Sequence, residues 1–361
     1  METRLRFLIV LAVALVPSTA SANAGTPLMW ATMLHLFLGN AVIGLVEGIL
    51  LERLFKCGVR RSILILIAAN YVSAWVGYGL VSGGLGMLPE ITIETVRFWS
   101  WVFFVITFVV TLLIELPFVR WVMPPQGKTF GQVLKAAVTV NAISYALLFG
   151  WYWMASGTSM MTPLQVVPAT SLVQGDEYEL FFISMDGDQI LKADLNGGRQ
   201  SKLSEVRALN GNDRLFARRN ATEGYDLLVY LDSDEGEGKN EVLIASGFSS
   251  FAPLSDAPTG AWFDFGKVPS LASDSDWEFR TGFWAAEGIK GTDKKSGAKV
   301  HYALETPYAF WQVRNGTQIE GDMVVFQLGK SQICALHPES RRIALLSRGK
   351  GLIVAKRGAA N

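Results

Sequence analysis

The amino-acid sequence predicts a multi-domain membrane protein, a four-helix transmembrane bundle joined to a C-terminal all-β domain, and three observations carry that expectation. Between residues 28 and 155 lie apolar runs long enough to cross a hydrocarbon core of roughly 30 Å at about 1.5 Å per helical residue. The connectors between those runs alternate in Lys and Arg content. Beyond Ala155 the apolar runs shorten to strand length and are separated by Gly, Asn and Asp. The implied boundaries are a signal peptide over 1–24, the transmembrane domain over 25–155, a linker over 156–177 and an extracytoplasmic β-rich domain over 178–361.

Taken in order, the N-terminus has Arg4 and Arg6, an apolar core over 7–16, Pro17, and the small-residue pattern Ala22, Asn23, Ala24. This reads as a secretory signal cleaved after Ala24, the alternative being an uncleaved anchor. Cleavage leaves the mature N-terminus outside, and the crossings over 28–51, 62–81, 98–122 and 133–155 return the C-terminal half there as well. The expected location is a bacterial inner membrane, with the β-domain in the periplasm or outside. Charge agrees: the first connector has Arg53, Lys56, Arg60 and Arg61, the third has Arg120, Lys128 and Lys135, and residues 82–96 have no Lys or Arg. Trp30, Trp99, Trp101, Trp151 and Trp153 cluster at the predicted outer ends and Trp121 at an inner end, as an aromatic belt does. Gly83, Gly84 and Gly86 read as a turn, with Pro89 starting the third helix.

One carboxylate interrupts the first run, Glu47, and one the third, Glu115. Counted from the basic ends at Arg53 and Arg61, Glu47 and Asn70 both lie about 9 to 14 Å deep, so the antiparallel helices let them meet. Aligning Glu47 with Glu115 and Asn70, Ser73, Gly79 with Asn141, Ser144, Gly150 preserves the Asn to Ser to Gly spacing. The pattern suggests a duplicated hairpin, a parallel repeat whose polar residues fall in one layer. Ser lies three residues after Asn in both copies, on the same helical face. Carboxylates inside a membrane are functional candidates by default. Three readings stay open for this layer: hydrogen-bonded glue, a proton, ion or ligand site, or a contact with a partner subunit. His35, with no second histidine nearby in sequence, reads as hydrogen-bonded to a neighbouring helix.

The Glu-bearing helix followed by Ala69, Asn70 and Ser73 resembles a hairpin pattern in small uncharacterised bacterial membrane proteins, including the filament-integrity proteins of cyanobacteria. The resemblance covers the membrane block alone and implies an assembly or envelope-integrity role. The large β-domain departs from that small-protein pattern.

From 178 to 357 alternating runs such as YELFFIS, YDLLVYLD and MVVFQLG are punctuated by Asp186-Gly187, Asn196-Gly197-Gly198, Asn210-Gly211, Asn315-Gly316 and the glycines at 349 and 351. The choice is a β-sandwich, a barrel or a propeller-like array. Residues 181–205 and 324–351 each run strand, turn, strand, turn, strand, a cadence similar to propeller blades.

Composition excludes several functions. Lys plus Arg and Asp plus Glu both total 32, so no bulk charge points to nucleic acid. Cys57 and Cys334 fall on opposite sides of the membrane in this topology and do not pair. His301 and His337 have no Gly-x-Ser-x-Gly motif beside them. The acidic run with Asp232, Asp234, Glu235, Glu237 and Glu241 breaks the calcium-loop pattern at Gly236 and reads as a solvated hairpin tip. Asn220 and Asn315 fit the glycosylation pattern, which matters in a eukaryotic secretory host. No catalysis, metal or cofactor is expected. The expected partners are the lipid bilayer and an envelope protein or a second copy of the chain. The expected function is binding, scaffolding or sensing at the cell envelope, the alternative a transporter or ion-coupled subunit using Glu47 and Glu115. A hydrolase would need His301 or His337 to meet a serine and an acid.

Overall fold

The structure is a computed structural model that describes residues 26–84, 90–173, 175, 177–221, 224–232, 241–252, 254, 265–282 and 287–357. The expected signal peptide lies outside the described residues. The chain divides into two compact units, Met1–Gly157 and Thr158–Asn361.

The first unit has four helices long and apolar enough to span a membrane: α1 (Pro27–Phe55), α2 (Val59–Gly84), α3 (Val96–Val122) and α4 (Phe130–Ala155). Thr26 caps α1 by accepting a hydrogen bond from the Met29 N–H, and Pro27 supplies the fixed φ that suits a first helical position. At its other end Lys56 takes a left-handed conformation (φ 57°), and the amides of Lys56 and Cys57 return to the carbonyls of Glu52 and Leu51. That stop is what makes the connector short enough to lay α2 back along α1. Arg61 then reaches from α2 to the Trp121 carbonyl near the end of α3 (3.0 Å), where a cation offsets the helix dipole. The other ends of α1, α3 and α4 also meet, because Trp101 stacks on Phe149 and Trp151 donates to the Ala31 carbonyl.

The α2 to α3 connection differs from expectation. Gly83 and Gly84 close α2 rather than forming a turn, since a glycine costs a helix only about 1 kcal/mol. α3 starts at Val96, not at Pro89: the amides of Thr95 and Val96 both bond the Thr92 carbonyl, a turn that leads into the helix.

In the second unit β2 (Tyr178–Ile183), β3 (Gln189–Asp194) and β4 (Ser201–Glu205) form an antiparallel meander after a short strand β1 (Gln165–Val166) and a helical turn, α5 (Ala169–Leu172). β5 (Arg214–Arg219), β6 (Tyr225–Tyr230) and β7 (Glu241–Phe248) form the next sheet, followed by β8 (Phe251–Ala252). A third contains β9 (Gly266–Lys267), β10 (Trp277–Thr281), β11 (Ile289–Asp293) and β12 (Lys299–Tyr302). The fourth contains β13 (Val313–Ile319), β14 (Met323–Leu328), β15 (Gln332–His337) and β16 (Arg342–Arg348). β17 (Lys350–Lys356) leaves it to pair antiparallel with β2, so the end of the chain completes the sheet that β2 begins. No sheet closes on itself among the described residues, which removes the barrel.

Strand period explains the core. Leu180 and Phe182, with Leu352 and Val354, point one way into a cluster with Val325, Ile333, Ala335 and Ala344. Phe181 and Ile183, with Ile353 and Ala355, point the other way, against Leu215, Ala217, Leu227 and Val229. β2 and β17 are therefore apolar at successive positions because sheets cover both of their faces.

Three expectations for this unit change. The stretch over 156–177 is not a free linker from Thr158 on: Ser159 bridges Ala303, β1 pairs parallel with β16, and Val167 and Val173 enter the core. Asn315-Gly316 is not a turn but lies inside β13 at a register shift, where the positive φ of Asn315 (51°) is absorbed by a bulge. β10 and β11 were not expected as strands, because their outward positions are polar, Glu278 and Arg280 in β10 and Lys290 and Thr292 in β11, and Gly291 leaves one inward position without a side chain.

Candidate functional site

The six polar residues singled out in the helices, Glu47, Asn70, Ser73, Glu115, Asn141 and Ser144, are all buried and form one hydrogen-bonded layer. On α1, Glu47 accepts from Asn70 Nδ2 of α2 (2.7 Å) and from the Ser144 hydroxyl of α4. On α3, Glu115 accepts from Asn141 Nδ2 of α4 (3.1 Å) and from the Ser73 hydroxyl of α2 (2.7 Å). Each carboxylate thus takes its asparagine from its own hairpin and its serine from the other. Exchanging the two hairpins maps the bonding pattern onto itself.

The donors are oriented by their own helices. Asn70 gives its second amide hydrogen to the Leu66 carbonyl (3.0 Å), and Asn141 does the same to Ala137 (3.2 Å). That fixes the amide plane and aims the remaining N–H at the carboxylate. Ser three positions on places a hydroxyl on the same face, facing the opposite hairpin. Among the described residues no salt bridge reaches either carboxylate. The layer is held by neutral donors, and all four carboxylate oxygens are engaged.

Two residues that sequence reasoning missed set the spacing beneath it. A Cβ on Gly44 would lie 2.5 Å from the Ile67 backbone, and one on Gly48 would lie 2.7 Å from Ile63. The two helices approach this closely only because both positions lack a side chain. The signal was in the chain as Gly44-x-x-x-Gly48 around Glu47. The α3 positions aligned with them are Leu112 and Leu116, so the second hairpin has no such contact.

Between α1 and α4 a cleft of about 150 Å³ is lined by Leu34, His35, Gly39, Val42, Ser144 and Leu148, among others. His35, expected to bond a neighbouring helix, meets the Tyr152 hydroxyl of α4 at 2.8 Å. It opens a π-helical segment, His35–Gly39, inside α1.

The second unit gathers fewer of the residues examined from sequence. His301 Nε2 meets the Glu287 carbonyl (2.9 Å), and burial lowers its pKa from the ordinary histidine value. His337 Nδ1 meets the amide and hydroxyl of Ser340 in its own turn. Among the described residues neither imidazole hydrogen-bonds a carboxylate. Of the acidic run, Glu241 forms a two-pronged pair with Arg218 (2.9 and 3.1 Å) and Asp232 accepts from Asn212. Asp234, Glu235 and Glu237 lie outside the described residues. No cluster of His, Cys, Asp and Glu poised for a metal ion is present among the described residues. Both cysteines are buried and free.

No protein-family model matches this chain, and no curated protein matches it.

Proposed function

We propose that this protein is a four-pass inner-membrane protein whose helical unit anchors and positions a β-rich unit outside the cytoplasm, where it binds or scaffolds partners in the cell envelope. The observation that carries this reading is the closure of the polar layer. All four carboxylate oxygens of Glu47 and Glu115 are already bonded, by neutral donors from both hairpins, which suits a clamp between helices better than a site waiting for a solute. Membrane insertion is supported by the apolar exterior of the helices: Phe98, Trp101 and Leu113 are 65%, 60% and 67% exposed, a surface that water would disfavour. The self-mapping bond pattern supports an origin by duplication of one hairpin.

A transporter using Glu47 and Glu115 is the second reading. The α1–α4 cleft favours it, since it reaches Ser144, the donor to Glu47. Its aliphatic lining weighs against passage of a polar solute.

Topology is tested with a membrane-impermeant maleimide on intact cells, the buried native thiols staying silent. Gly58→Cys, in the exposed first connector, should label only after permeabilisation; Asp274→Cys, exposed in the β-rich unit, should label from outside. The reverse pattern would contradict the proposal.

A further inference from the structure

The polar layer poses a hydrogen count that its donors do not meet. Among the described residues eight contacts at hydrogen-bond distance hold it: Asn70, Asn141, Ser73 and Ser144 each reach a glutamate and a carbonyl of their own helix. For Ser73 and Ser144 those carbonyls belong to Asn70 (3.1 Å) and Val140 (2.8 Å). An asparagine amide brings two hydrogens and a serine hydroxyl one, so the four side chains supply six hydrogens for eight contacts. The shortfall falls on the serines, since both contacts of each asparagine are made by its Nδ2. One hydroxyl hydrogen cannot lie near the line to two acceptors, and a hydrogen bond weakens steeply once it bends. No salt bridge reaches the layer among the described residues. The nearest basic residues along the four helices, Arg53, Arg61, Arg120 and Lys135, are exposed, whereas the six layer residues are buried.

We propose that Glu47 and Glu115 each hold a proton on Oε1, so that the layer is a pair of proton-binding sites and both carboxyls are neutral acids. The inference rests on the membrane-spanning clamp read above. Each carboxyl O–H donates to the serine it faces, Glu47 to Ser144 and Glu115 to Ser73, and the serine gives its own hydrogen to the carbonyl one turn back. Oε2 stays the acceptor for the asparagine. All eight contacts then have a hydrogen, and relative to ionised carboxylates only the direction of the two serine–glutamate bonds changes. The bundle is also spared two uncompensated negative charges at membrane depth. The protons come from water and are held rather than relayed, because each path ends on a backbone carbonyl after one serine.

The test is infrared absorption of the full-length protein in lipid vesicles at neutral pH. It is read at the carbonyl stretch of protonated carboxyls and assigned to glutamate by isotopic labelling of the carboxyl carbon. Carboxylates in water, with pKa values of about 4, are ionised there and silent. Retention after alkaline washing is scored first: loss would overturn the membrane reading, and the absorption, then read in micelles, decides the proton count by itself. Wild type should absorb, Glu47→Gln and Glu115→Gln should each remove about half of the band, and the double variant should remove all of it. Ser144→Ala takes away the acceptor of the Glu47 O–H but not the proton, so it should move half of the band to higher wavenumber at unchanged area. That variant decides the matter should a glutamine variant fail to accumulate. No band in wild type, a band that survives the double variant, a band lost whole in either single variant, or one that Ser144→Ala leaves in place would overturn the proposal.

Discussion

At the scale of single residues, the carboxylates are the informative positions because their oxygens are already committed. Glu47→Gln keeps one acceptor and converts the other to a donor, which the Ser144 hydroxyl accepts by rotating. We therefore expect Glu47→Gln to cost about 1 kcal/mol and Glu47→Ala, which leaves one Asn70 N–H unmet, returns the Ser144 hydroxyl to the Val140 carbonyl alone and opens a void, about 3 kcal/mol, read from unfolding in micelles. Ser73→Ala and Ser144→Ala each remove a bond between hairpins and should cost about 0.5 to 2 kcal/mol. A double-mutant cycle between Ser73→Ala and Ser144→Ala, which touch different carboxylates, should come out closer to additive than one between Glu47→Gln and Ser144→Ala. His301 gives a pH prediction in the β-rich unit. Its folded pKa lies below the unfolded value, so the unfolded state takes up the proton first and stability is lost as pH falls through about 6.5. His301→Asn should flatten the melting-temperature profile between about pH 7.5 and about pH 5.5; an unchanged slope would remove this account.

At the scale of elements, charge and hydropathy made the helices legible because both follow from composition over some twenty residues. The Glu to Asn pairing within each hairpin followed from equal depth. The serine crossover did not, since nothing in a one-dimensional pattern says which hairpin a hydroxyl faces. Gly44 and Gly48 were legible as a spacing, and their consequence is testable. Gly44→Leu should force α1 from α2 and abolish accumulation of folded protein, whereas Gly79→Ala, with open space where its Cβ would sit, should leave the level and melting temperature unchanged. In the β-rich unit, strands with both faces covered announced themselves as apolar runs, as in Tyr178–Ile183. Those with one mixed face, such as Ile289–Asp293, did not. Asn315-Gly316 carried a turn signature that the fold uses for a bulge, because a positive φ suits either.

At the scale of the whole molecule, the β-rich unit is closed by its last strand. β17 supplies Leu352 and Val354 to one core cluster and Ile353 and Ala355 to the other, so its loss opens both. Truncation after Gly349 should convert the β-rich unit from a protease-resistant fragment to one degraded at native conditions, with the helical unit still recovered in membranes. That independence follows from the division at Gly157 and Thr158, since each unit has its own core. The central claim is that the Glu47 and Glu115 layer is a clamp, and reconstituted wild type, Glu47→Gln and Glu115→Gln test it when proton or ion flux and protein level are scored together. The account predicts no flux in any form, with at most a modest fall in level for the variants. A wild-type flux that disappears in the variants while their levels hold would contradict it and give the layer to transport.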